Sequence, residues 1–163
     1  MSKKENFESI YRQYSPGIKR VCFNYTGDEL LSDDLLQETF IIVWKNFDQF
    51  RNESKISTWI YRIAVNICLT SIKKRKKEIW VSDGHLNSIS EEETYDNTKD
   101  LNFLNKCITE LKEADRIIIT LVLEEKPYDE ISEIMGISEN NLRVKIHRIK
   151  KELTEKFKQN GRI

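Results

Sequence analysis

Proline is nearly absent from this chain: two occur in 163 residues, beside five glycines. Turn-rich all-β architectures need more of both, and no segment alternates with period two for long, so the chain is expected to be nearly all helix. Its three cysteines, Cys22, Cys68 and Cys107, are odd in number, far apart and set in apolar patterns. They read as reduced core thiols rather than disulfides. With no CxxC and only two histidines, distant in sequence, neither a structural metal nor any cofactor is expected. No apolar run approaches the ~18–20 residues of a membrane span, and MSKKENFES lacks a signal-peptide core. A cytoplasmic protein without membrane insertion is expected. Catalytic machinery is missing as well: Cys22 has no histidine nearby, His85 lies among acids, and carboxylate pairs fall on solvated helix faces. No catalytic residue is assigned and no enzymatic activity is expected.

Net charge is the last thing missing, since 27 basic and 27 acidic residues cancel. The cancellation hides a segregation. Residues 78–100 carry Glu78, Asp83, Glu91, Glu92, Glu93, Asp96 and Asp100 against one base, Lys99. Residues 140–158 carry Arg143, Lys145, Arg148, Lys150, Lys151, Lys156 and Lys158 against Glu152 and Glu155. Residues 73–77 read KKRKK without a break. Two basic blocks flanking an acidic segment suggest two polyanion-binding lobes on a charged tether. The plain alternative is a pair of solvated faces.

Apolar spacing divides the chain into helices. A first helix, or a pair broken at Pro16-Gly17, covers residues 5–25. After a turn at Thr26-Gly27-Asp28, a second helix starts at Ser32 and buries Leu35, Leu36, Phe40, Val43, Trp44 and Phe47. Asp33 and Asp34 suit the dipole at its N-terminus. A polar connection, FRNESK, leads to a third helix over about 57–77 with Trp59, Ile60, Ile63, Ala64, Ile67 and Ile72 inward. Residues 78–100 read as a flexible acidic linker. Beyond it, helices at about 101–112 and 114–125 open a second lobe. Expected boundaries are therefore 1–77, 78–100 and 101–163, and each lobe has apolar density enough for a core of its own.

Residues 128–151, YDEISEIMGISENNLRVKIHRIKK, carry the clearest chemistry. Ile131, Ile134 and Met135 mark a short helix that stops at Gly136, a residue suited to a left-handed C-terminal cap. Ser138 can cap a second helix whose stripe is Leu142, Ile146, Ile149 and Leu153. Opposite that stripe stand Asn140, Val144, His147, Arg148 and Lys151, with Arg143 on its flank. Basic and amide side chains opposite an apolar stripe suit a helix lying in the DNA major groove.

Three strings in order, DDLLQETFIIVWKNFDQF (33–50), FRNESKISTWIYRIAVN (50–66) and the helix-turn-helix through Leu153, make the chain resemble a compact sigma factor of bacterial RNA polymerase. It is most similar to the extracytoplasmic function (ECF) type of the sigma-70 family. The resemblance covers nearly the whole chain, outside the linker and tails. It implies two helical domains that bind core RNA polymerase, at the clamp coiled coil and the flap, and promoter DNA. An anti-sigma factor is a further partner that the resemblance allows, and the free chain is expected to be a monomer.

The resemblance also implies site residues. Asp34, Gln37, Glu38 and Trp44 match the polymerase-binding positions; Trp44 reads equally well as core, and the two aspartates as helix capping. Phe50, Arg51, Asn52, Lys55, Ser57, Trp59, Arg62 and Asn66 match the reader of the −10 element. The loop 51–57 would grip a flipped base, while Lys55 and Arg62 bind phosphate; Trp59 also suits core packing. Asn140, Asn141, Arg143, Val144, Lys145, His147, Arg148 and Lys151 match the −35 reader. Val144 departs from the family, which usually has a small hydroxyl residue there; it cannot donate a hydrogen bond but can touch a thymine methyl. A stand-alone helix-turn-helix regulator is the competing reading, and it leaves the first two strings unexplained.

Overall fold

The computed structural model describes residues 2–79 and 98–161, and every regular element among them is helical. Helix α1 spans Lys3–Thr26 and opens on a reciprocal capping box. Ser2 N–H donates to Glu5 at 2.7 Å, and Glu5 N–H donates back to the Ser2 hydroxyl at 3.3 Å. The bond from the Ser2 backbone N–H, and then the Ser2 side chain, hold the Glu5 carboxyl below its usual range. Of the two forms that the sequence left open, a single helix or a pair broken at Pro16-Gly17, the structure has the single helix. An interior proline costs roughly 3 kcal/mol. Ile18, Val21 and Cys22, just beyond it, are completely buried, and each such side chain returns about 1.5–3 kcal/mol. Tyr14, Ile18, Val21 and Tyr25 thus continue one stripe past the exposed proline. Gly27 then ends the helix at φ +67°.

Helix α2 (Glu29–Asn46) starts one turn before the expected Ser32, because Asp28 is its cap and accepts Leu31 N–H at 3.0 Å. Ser32 is buried and donates back to the Glu29 carbonyl at 2.8 Å. The dipole role expected of Asp33 and Asp34 passes to Asp28 and Glu29. Asp33 instead pairs with Lys19, tying α2 to α1, while Asp34 stays exposed. A 3-10 turn, Phe47–Gln49, leads through the loop to α3 (Ile56–Ile79). The remaining helices are α4 (Thr98–Thr109), α5 (Glu113–Leu123), α6 (Tyr128–Met135) and α7 (Glu139–Gln159). Helices α3 and α4 therefore take the two ends of the expected linker, and residues 80–97 lie outside those described.

Buried side chains from both halves join one apolar cluster. Helices α1 and α3 of the first half pack against α5 and α6 of the second. Polar and aromatic contacts line that seam. Glu124 accepts from the Arg20 guanidinium, with Nη2 at 2.7 Å, and Asn24 donates to the Thr120 hydroxyl at 3.2 Å. Lys126 Nζ sits 4.3 Å from the Tyr61 ring centroid, and the Arg116 guanidinium 5.3 Å from that of Tyr25. Gly17 lets α3 come close: a Cβ there would lie 2.1 Å from the Tyr61 hydroxyl.

The cysteines are reduced and buried, as expected. Cys22 and Cys68 stand 3.8 Å apart, sulfur to sulfur. The bond to Cys22, followed by burial, pushes the Cys68 thiol far above its ordinary range.

Candidate nucleic-acid interface

The helix-turn-helix is built as its sequence dictates. Gly136 caps α6 at φ +67°, and its N–H bonds to the Ser132 carbonyl at 2.9 Å. The Ser138 hydroxyl accepts Asn141 N–H at 3.2 Å and starts α7. Leu142, Ile146, Ile149 and Leu153 are all buried. That burial turns the opposite face outward: Asn140, Asn141, Arg143, Val144, His147, Arg148 and Lys151 are exposed, and Lys145 is half-buried. Val144, at 67% exposure, is an apolar side chain that no core contact explains.

Two arginines on this face are held by neighbours. Arg143 lies 5.1 Å from the Tyr128 ring centroid and 3.5 Å from Glu139, one turn back. Arg148 reaches Asp115 on α5, with Nη2 at 3.5 and 3.4 Å from the two carboxylate oxygens.

A second surface surrounds the start of α3. Loop residues Arg51, Asn52 and Glu53 are exposed, and Asn52 takes a left-handed φ of 56°. Trp59, Arg62 and Asn66 follow at spacings of three and four, so they share one helix face. Arg62 and Asn66 are exposed, while Trp59 is half-buried with its ring 4.9 Å from that of Phe50. Trp59 thus combines packing with exposure. Thr70 and Lys74 extend the exposed face along α3. Of KKRKK, only the Lys74 side chain lies among those described. Ser57 is half-buried.

Lys55 is engaged elsewhere. Its Nζ is 2.8 Å from Glu130 on α6, a carboxylate that is 10% exposed. The Glu130 bond holds the Lys55 ammonium above its ordinary pKa. Tyr61 turns away from this face into the core, where burial first, and then Glu124, push its phenol up.

The third surface is on α2. Asp34, Gln37, Glu38 and Ile41 are exposed along one ridge. Trp44 closes it at 40% exposure, with one face against Phe7 at 5.0 Å and Lys3 Nζ 4.7 Å from its ring. Among the described residues no His, Cys, Asp or Glu group could hold a metal ion, and no helix is long and apolar enough to cross a membrane.

Residues 10–78 match the family model of Sigma-70 region 2, and residues 104–153 match that of Sigma-70 region 4. The ECF RNA polymerase sigma factor SigM of Bacillus subtilis is 30% identical over 150 residues, spanning 90% of this chain and 91% of SigM. The chain belongs to the ECF sigma factors. SigW of the same organism is 27% identical over 173 residues, 95% of this chain and 90% of SigW. Among solved structures, the sigma factor RpoE in complex with the anti-sigma factor NepR, from Bartonella quintana, superposes with a TM-score of 0.84. That match has 21% identity and covers 94% of this chain and 98% of RpoE. CnrH in complex with the cytosolic domain of CnrY gives 0.71 at 16% identity, over 93% and 87% of the two chains. Both share the fold of this chain across its two halves.

Sequence reasoning missed Glu130 and Asp115, although a signal was there. Leu111, Asp115, Ile118 and Val122 follow one stripe, so an acid stands where apolar burial is expected; Glu130 adjoins Ile131 and Ile134 in the same way. Nothing local in the sequence reveals their cationic partners.

Proposed function

We propose that this ECF sigma factor binds core RNA polymerase and directs promoter-specific initiation, reading the −10 element with the first domain (1–77) and the −35 element with the second (101–163). The observation that carries this reading is the division of α7: four apolar residues buried, and the amide, basic and Val144 side chains exposed as one face. A helix so divided can enter the major groove without unfolding its domain. Arg51, Asn52, Arg62 and Asn66 offer hydrogen bonds, and the Phe50–Trp59 pair offers a stacking surface, to bases exposed as the duplex opens. The ridge Asp34, Gln37, Glu38, Ile41 and Trp44 mixes charge with unburied apolar area, which suits docking on the clamp coiled coil of the polymerase.

The polymerase performs the chemistry, and the chain supplies specificity without catalysis of its own. Its place of action is the cytoplasm, where the polymerase works. An anti-sigma factor is a fitting partner, since RpoE is described in complex with one, NepR. A stand-alone regulator would leave the α2 ridge and the −10 face without a role.

In-vitro transcription with purified core enzyme tests the reading. Initiation from a defined site upstream of the chain's own gene, or from another selected promoter, is expected only when the chain is added. Failure on all of them, or tight sequence-specific binding to duplex DNA without polymerase, refutes it.

A further inference from the structure

We propose that Asp115 is a positioning residue for promoter recognition, holding Arg148 in the orientation from which it discriminates bases of the −35 element. The proposal rests on the reading of α7 given above and deepens it.

Asp115 lies in the first turn of α5, outside the helix-turn-helix, and is only 5% exposed. A carboxylate so buried is costly unless its charge is answered. The helix N-terminus answers part of it. The guanidinium of Arg148 answers the rest, with Nη2 straddling Oδ1 and Oδ2 at 3.5 and 3.4 Å. The two ends of this pair differ in freedom. Asp115 is fixed by its burial at the start of α5, whereas the Arg148 side chain is 57% exposed and has several torsions to spend. The fixed end therefore directs the free one.

Direction matters because an arginine reads sequence only when its planar fork is correctly aimed; unaimed, it binds any phosphate. Anchoring at Nη2 leaves the Nε and Nη1 donors for the groove. It also offsets the positive charge that would otherwise attract the DNA backbone without regard to sequence. Asp115 thus exchanges general affinity for discrimination. Arg143 has its own supports, Tyr128 and Glu139, so the two arginines are aimed independently.

The experiment uses the full chain bound to core polymerase, and promoter duplexes carrying every single-base change in the −35 element of a promoter on which the wild type initiates. Asp115→Ala is expected to lower base discrimination at the position read by Arg148 at least five-fold. Binding to unrelated duplex should stay unchanged or tighten, and thermal stability should remain close to wild type. Asp115→Asn, of the same size and keeping one acceptor oxygen, should retain part of the discrimination. Adding Asp115→Ala to Arg148→Ala should cause no further loss at that position. A merely structural role instead predicts equal weakening on every sequence, and that result overturns the proposal. Unchanged discrimination in both Asp115 variants overturns it too. If Arg148→Ala itself leaves −35 discrimination intact, the failure lies in the assignment of α7 to DNA, and the proposal falls with it.

Discussion

Lys55 of the loop before α3 and Glu130 of α6 form an ion pair at 2.8 Å across the seam between the two halves of the chain. The same lysine that sequence similarity assigns to promoter phosphates is therefore in contact with the helix-turn-helix. DNA binding by Lys55 requires that this pair part. Glu130→Lys, which sets like charges against each other, is expected to shift the chain toward a more extended form. Small-angle scattering should then give a larger radius of gyration than for wild type at low salt. Because Lys55 itself is mostly exposed, 0.5 M salt should produce a similar change in the wild type. Identical scattering profiles for wild type and variant at both salt concentrations would refute this.

The same contact has a defined response to alkali. Pairing raises the Lys55 pKa above its ordinary 10.5, so its contribution is fully present below that value and is lost as pH rises through the raised one. The Lys55-dependent difference in compactness between wild type and Lys55→Met should therefore stay constant between pH 7 and about 9.5. Scattering of both proteins across that range checks it; a difference that fades by pH 9 would mean another group titrates.

Gly17→Ala should destabilise the chain by about 1–3 kcal/mol, although alanine is the better helix former. The new methyl would meet the Tyr61 hydroxyl at 2.1 Å, and Tyr61 is 3% exposed and cannot swing away. Urea unfolding measures the loss. Tyr61→Phe in the same background removes the clashing oxygen and should recover part of it; no recovery would place the strain elsewhere.

Thiol labelling tests the core of the first half. Cys22 and Cys68 are wholly buried, and the Cys68 thiolate is strongly disfavoured by its neighbour Cys22 and by burial. Reactivity follows the thiolate, so neither should label in the native protein at pH 8, and both should label in urea. Labelling that runs ahead of global unfolding would point to a local opening of α1 from α3.

Arg143→Ala should weaken −35 recognition by about 1–3 kcal/mol, the usual worth of a well-placed base contact, and leave core-polymerase binding intact. Competition between promoter variants and direct binding to core enzyme measure the two separately. Loss of core binding would mean that the surfaces of the two halves have been exchanged.

The amino-acid sequence by itself determined what is local and periodic. The stripe Leu142, Ile146, Ile149 and Leu153, the Gly136 cap and the Ser138 cap are all found where their pattern puts them, because they depend on residues within one or two turns. The site residues of α2 and α3 came from the family resemblance rather than from spacing. Tertiary structure decided the rest. It kept α1 whole through Pro16, since burial on both sides outweighs a missing hydrogen bond. It moved Asp33 from helix capping to Lys19, and split Trp44 and Trp59 between packing and exposure. It also joined Lys55 to Glu130 and Arg148 to Asp115, residues 75 and 33 positions apart. Periodicity can show that an acid lies on a buried face; only the packing of helices distant in sequence determines which cation answers it.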